Sequence, residues 1–245
     1  IRREIGDLIG ESVVLNNLSI ITGDQGNEDE SVALIEQSLR ICREIGDRRG
    51  ESRALGNLGN YAAASGDYTK ARDCQEQALR IRREVGDRQG ECIALSNLGY
   101  LFCNLGKFTR AKNCLDQSLH ISGEIGERRI RCSSLAELGR LCHYLGNDTA
   151  ALEHCQQALS IAQEIGSHNE RAFALSELGH ALAGLGRLKE AAESYRQALG
   201  LWRESDQQGL AMAPLAGLVK VSLAEGDLVQ AQAQAEEIMG YWESK

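Results

Sequence analysis

The sequence predicts an all-α fold of stacked helix-turn-helix repeats, and three observations carry that prediction. Ile5-Gly6-Asp7 returns as Ile45-Gly46-Asp47, Val85-Gly86-Asp87, Ile125-Gly126-Glu127 and Ile165-Gly166-Ser167, always at a step of 40. A fixed internal period of this size is the mark of a repeat array. Within a period the apolar and small residues fall at helical spacing, as at Leu55, Leu58, Gly59 and Ala62 and again at Ala71, Ala78, Leu79 and Val85. The composition holds 26 Gly against 1 Pro, with only 4% aromatic residues. That balance fits helices punctuated by regular glycine turns better than a loop-rich fold.

Each repeat reads as two helices. In the second repeat Gly50 to Ser65 forms the first and Tyr68 to Val85 the second, with Gly66-Asp67 breaking the pair. The same break recurs at Gly26-Asn27, Gly106-Lys107, Gly146-Asn147, Gly186-Arg187 and Gly226-Asp227. Gly86 is expected to end a second helix as a left-handed cap, after which Asp87 accepts from the free N–H groups of the next helix. Gly59, Gly99, Gly139 and Gly179 lie inside first helices, where Gly costs about 1 kcal/mol relative to Ala. Close approach of the second helix at Ala71, Ala111, Ala151, Ala191 and Ala231 is the expected compensation. The repeats are bounded as 6–45, 46–85, 86–125, 126–165, 166–205 and 206–245, one solenoid over 1–245 with 1–5 closing a preceding repeat. Ile1–Asp7, IRREIGD, nearly copies Ile81–Asp87, IRREVGD, so the chain is expected to be a piece of a longer protein whose array continues upstream. Pro214 falls inside the first helix of the sixth repeat, which is expected to start late, near Met212, or to kink. Val219 and Gly217 depart from the repeat pattern there, as in a capping repeat.

The residues that set the period also carry a family resemblance. Leu58-Gly59, the turn Gly66-Asp67-Tyr68, Ala71 and Ala78-Leu79 resemble the tetratricopeptide repeat over essentially the whole chain. The 40-residue step with Gly-Asp-Arg-x-Gly-Glu at Gly46–Glu51 and Gly86–Glu91 is similar to the longer-repeat branch. That branch includes kinesin light chains, Leu-Gly-Asn adaptors and the sensor arms of bacterial STAND-type ATPases. The resemblance implies a right-handed α-solenoid of about six repeats. Two family features are missing, the large aromatic at Leu55 and the Pro near the end of the second helix, so the core is expected to be Leu, Ala and Cys.

Charge excludes some partners. The net charge is −8 from 27 basic and 35 acidic residues, and the first and last repeats alone carry −6 and −4. No segment has the cation excess that a phosphate backbone demands, so no nucleic-acid partner is expected. No apolar run reaches the ~18–20 residues of a membrane span, and no basic-then-apolar leader precedes the first residues. Eight Cys and five His raise the question of a metal. Cys74 and Cys114 share one repeat slot and Cys92 and Cys132 another, too far apart for disulfides, and no C-x-x-C occurs. Cys142 should approach Cys155 across the fourth repeat, but these slots hold Phe102 and Leu115 one repeat earlier. The reading is core thiols with no metal, no cofactor and a reducing, cytoplasmic setting. No nucleophile elbow, phosphate loop or His-Glu-x-x-His helix is present, so the chain is read as non-enzymatic, without catalytic residues.

The informative surface is the side of the first helices that, in the family, lines a concave groove. Carried residue by residue, that wall comprises Asn16, Asn17, Arg53, Asn57, Asn60, Asn97, Tyr100, Asn104, Glu137, Arg140, His143, Tyr144, Glu177, His180 and Lys220. Asn amides both donate and accept, which suits the backbone of an extended peptide, while Tyr supplies rigid area and Arg anchors carboxylates. The same Asn side chains could equally bond neighbouring repeats. The wall turns from Asn-rich to Glu/His/Arg-bearing in repeats four and five, as two sub-sites would. The first expectation is a protein-interaction module, a scaffold or sensor that binds a peptide or partner protein. The alternative is a small-molecule-sensing arm of a STAND-type signalling ATPase or transcriptional regulator. Self-association through the first repeat is a third.

Overall fold

The structure is a computed structural model and describes residues 6–205 and 207–243, apart from the Asp24 side chain. The described residues form helices and turns only. The first three repeats supply α1 (Leu8–Asp24), α2 (Glu28–Ile45), α3 (Arg48–Ala64), α4 (Tyr68–Glu84), α5 (Arg88–Asn104) and α6 (Phe108–Ile125). The last three supply α7 (Arg128–Tyr144), α8 (Asp148–Glu164), α9 (His168–Gly184), α10 (Leu188–Glu204), α11 (Gln208–Glu225) and α12 (Leu228–Glu243). The fold is the all-α repeat fold that the period predicts. The IRREIGD expectation at the start rests on residues 1–5, which lie outside the described residues.

The helix ends follow from their residues. Gly46 ends α2 with φ +72° and Gly226 ends α11 with φ +79°, the left-handed conformation that only Gly adopts without strain. Asp7, Asp47 and Asp87 then cap the next helix by accepting from the N–H of Gly10, Gly50 and Gly90. A side chain on Gly50 or Gly90 would collide with the capping carboxylate, which explains the second Gly of the Gly-Asp-Arg-x-Gly-Glu motif. Its Glu ties three segments: Glu51 holds Arg43 at 3.0 Å and also Arg48, and Glu91 holds Arg83 and Arg88, each at 2.8 Å. The motif is therefore a joint between repeats. Glu127 and Ser167, which replace the Asp, make no side-chain cap bond.

The chain divides into two compact units, Ile1–Ile121 and Ser122–Lys245. In the first, Ile35, Leu39, Ala54, Leu55, Leu58, Cys74, Ala78 and Ile81 form a core. In the second, Cys155, Leu175, Leu182, Tyr195, Leu199, Trp202, Leu215 and Val221 belong to one core cluster. The core is thus Leu, Ala and Cys with a few large rings, Phe102 among them.

The helix-contact slot is more varied than small against small. At Gly59 and Gly139 a Cβ would lie 3.2 Å from the carbonyl oxygen of Ala71 and Ala151, so the two helices do come close there. At Gly99 and Gly179 the space is taken by Leu115 and Tyr195 instead. Tyr195 fills two vacancies, because a side chain on Gly217 would also fall on its ring.

Pro214 corrects an expectation. α11 starts at Gln208, not near Met212, and runs through Pro214. The proline is buried in the slot that Ala54, Ala94 and Ala174 fill elsewhere. It forfeits one backbone hydrogen bond, and the burial of its ring against the core offsets that loss.

Candidate functional site

The first helices pack side by side within each unit. In the first unit α1 packs on α3 and α3 on α5; in the second α7 packs on α9 and α9 on α11. Among the described residues α2 does not meet α4, and α8 does not meet α10. First helices therefore pack on one another within each unit, while second helices are bridged by side chains, as where Arg110 of α6 meets Glu76 of α4 at 2.9 Å and Arg83 of α4 meets Gln117 of α6 at 3.0 Å.

In the first unit the wall is stitched by amides. Asn57 Nδ2 donates to Asn16 Oδ1 at 3.1 Å, and Asn97 Nδ2 donates to Asn60 Oδ1 at 3.0 Å. The same Asn60 oxygen accepts from Gln75 at 2.8 Å, and Gln75 also donates to the Gly56 carbonyl at 2.9 Å. These four Asn residues therefore bond neighbouring repeats. Asn104 donates to the Tyr100 carbonyl on its own helix. Asn17, Arg53, Asn60 and Asn104 are exposed, with Asn16, Asn57, Asn97 and Tyr100 half-buried beside them.

The second unit carries a charged cluster at the same register. Glu137 and Glu177 are both buried, 5% and 6% exposed. Arg140 Nη2 lies 2.6 Å from Glu137 Oε2 as an ion pair, yet by hydrogen-bond geometry the buried Oε2 of Glu137 and that of Glu177 both lack a partner. Burial pushes the Glu177 carboxyl up to about 8 against the pull of Arg140, with Glu137 adding to the rise. Glu137 is raised for the same reason, less the attraction of Arg140. His180 is held down to about 4, by burial first and then by His143, Lys220 and Arg140. His180 is therefore a neutral ring at pH 7. It stacks on His143 at 5.9 Å, and its Nδ1 bonds the Tyr195 hydroxyl at 2.7 Å. His143 Nδ1 is tied to Asp148 Oδ1 at 2.5 Å. Tyr144 is 49% exposed, with the Arg140 guanidinium 5.9 Å from its ring, and Lys220 is exposed on α11.

Three residues outside the predicted wall complete it: Gln75, Asp148 and Tyr195. Asp148 stands where Tyr68, Phe108, Leu188 and Leu228 open other second helices, and Glu28 of α2 is the other acid in that slot. Tyr195 shares its slot with Gln75, Leu115 and Cys155; of its partners, Gly179 belongs to the regular glycine slot and Gly217 departs from the repeat.

Six of the eight cysteines are buried. Burial pushes the Cys132 thiol up to about 12 and raises Cys155 strongly, which makes both poor nucleophiles. No group of three or more metal-ligating side chains occurs among the described residues. No described helix is long and apolar enough to cross a membrane.

Stacked two-helix units with polar side chains along their first helices define a helical-repeat protein of the scaffold class. The chain belongs to the tetratricopeptide repeat family, whose models match residues 11–84, 93–125 and 130–204. No match to a curated protein sequence was found. Among solved structures, it is similar to kinesin light chain repeats from Podosopora anserina, described as putative and nearly identical TPR-like repeats. There the identity is 21%, the TM-score 0.58, and the match covers 78% of this chain and 95% of that one. A Rap protein complexed with competence and sporulation factor matches at 14% identity and TM-score 0.78, covering 94% of this chain and 64% of that one. A STAND protein with a tetratricopeptide repeat sensor from Pyrococcus horikoshii matches at 16% identity and TM-score 0.65, covering 95% and 36%. Identities this low establish the shared fold.

Proposed function

We propose that this chain is a non-catalytic protein-interaction module whose inner wall binds an extended peptide or a segment of a partner protein. The observation that carries the reading is that within each unit the first helices pack side by side and present amides, Tyr and charged groups at one register. The Rap complex supports it, because a protein of this fold is described with a bound factor. The eight thiols fit a reducing, cytoplasmic setting.

Peptides selected from a random library on the full chain provide the test. Arg53→Ala and Tyr144→Ala, both at exposed wall positions, are expected to weaken a selected peptide about tenfold, a loss of about 1.4 kcal/mol. Arg80→Ala, exposed on α4, is expected to leave affinity unchanged. Equal affinity in both wall variants, or loss only in the Arg80 variant, rejects the groove reading.

A second reading is a sensor arm for a small polar ligand, as in a STAND-type ATPase or a transcriptional regulator. The charged cluster of the second unit favours it, and a chain that selects no peptide but is stabilised by one class of small solute would establish it. Self-association through the first repeat rests on α1. Val14 and Leu18 are 49% and 41% exposed there, whereas Ala54 and Leu58 at the same register are buried.

A further inference from the structure

We propose that the inner wall of the second unit holds a cationic group, the guanidinium or ammonium of a basic residue on the bound peptide, with Glu177 as its counter-ion. The proposal deepens the groove reading and rests on it.

The argument is a count of charges and bonds. Two buried carboxylates, Glu137 and Glu177, occupy equivalent positions on α7 and α9, which pack together. One guanidinium, Arg140, is electrostatically felt by both, and its ion pair is with Glu137 at 2.6 Å. Glu177 makes no ion pair among the described residues, and its Oε2 is a buried acceptor without a donor. An unpaired buried carboxylate is costly, whereas the same group facing an incoming cation regains both charge and hydrogen bonds. Without a second cation Glu177 holds a proton instead, and an incoming cation would take the proton's place.

Its surroundings fit a cation. His180, the next wall residue along α9, is neutral at pH 7 and does not repel positive charge. His143 is committed to Asp148, so the ring nearest His180 carries a carboxylate behind it. Tyr144 offers an exposed aromatic face at the rim, and such faces attract cations. The other titratable groups that face Glu177 are Glu137 and Arg140 on α7, Cys155 on α8 and Tyr195 on α10, with Lys220 of α11 acting on His180. Lys220 is the remaining wall cation of this unit, and it is exposed rather than paired with Glu177. In the first unit the same register holds Asn57 and Asn97, which donate to Asn16 and Asn60, so no carboxylate stands at those two positions.

The test uses the full chain and n-butylguanidinium, with butyrate as the anionic control. Carboxyl resonances of carbon-13-labelled glutamate read Glu177 directly, assigned by Glu177→Gln. n-Butylguanidinium is expected to shift the Glu177 signal, and binding should release a proton. Its apparent Kd should tighten roughly fifty-fold from pH 6 to pH 8, as follows when only the ionised carboxyl binds. Glu177→Gln, a neutral isostere of the protonated form, should bind at least tenfold more weakly, and butyrate should give no shift. An unmoved Glu177 signal, or unchanged binding to the Gln variant, overturns the proposal. Selected peptides that bind the wall with no basic residue would overturn it too while leaving the groove reading in place.

Discussion

Tyr195→Ala lowers the stability of the second unit by about 3–5 kcal/mol, the range for truncating a fully buried aromatic residue. Tyr195 is 1% exposed and sits between Gly179 and Gly217, whose missing side chains make its space. Two helices bare at the same level leave a cavity that neither can refill when the ring is removed. The ring also meets His180 edge-on at 5.2 Å, with the hydroxyl bonded to His180 Nδ1. Tyr195→Phe keeps the volume and loses that bond, so it should cost only about 1 kcal/mol. Trp202 is buried in the same core cluster, and its emission reports this unit in denaturant. Repeat arrays can depart from two-state unfolding, so the comparison is made on the Trp202 transition. Equal midpoints for the Ala variant and the parent would remove Tyr195 from the centre of the account.

The pH dependence of stability has an equally specific shape. Glu177 holds its proton up to about 8 in the folded chain, against an ordinary value of 4.5. The unfolded chain therefore binds fewer protons than the folded one between these values, and stability falls as pH rises through that window. His180 runs the other way. Its folded value of about 4 lies below its ordinary 6.5, so the unfolded chain binds more protons there and stability rises with pH. From about 4.5 to 6.5 the two oppose each other; from about 6.5 to 8 the glutamate acts alone among this pair. Glu137, also raised, works in the same sense as Glu177. Stability should fall between pH 6.5 and 8 with a limiting slope of about 1.4 kcal/mol per pH unit for one proton. Glu177→Gln cannot titrate and should flatten the slope there, leaving the variant more stable than the parent at pH 8. Equal slopes in parent and variant, read from denaturant midpoints across this range, would contradict the assignment.

Much of this molecule is legible in its sequence because the repeat is unbroken. A step of 40 with Gly at each turn locates the helix pairs, and Asp47 and Asp87 cap the helices as their spacing implies. The late start expected from Pro214 failed because propensity speaks for the local backbone, while the buried slot it fills is a tertiary fact. The wall was legible by register, but its chemistry was only half visible. Nothing in the residue types decides whether Asn57 faces a ligand or Asn16; the 3.1 Å bond does. Burial cannot be read from identity either. Glu137 and Glu177 appear in sequence as exposed acids of a groove, yet they lie beneath its surface with a single Arg between them. Asp148 and Tyr195 were missed for a related reason, since both come from second helices and reach the wall only through the fold.

The central claim is that ligands bind on the first helices. A selected peptide carrying a photoreactive benzophenone, cross-linked to the full chain and mapped by mass spectrometry, tests it most directly. Adducts on the wall faces of α3, α5, α7 and α9 are the predicted result; adducts confined to α2, α4, α8 and α10 would contradict it.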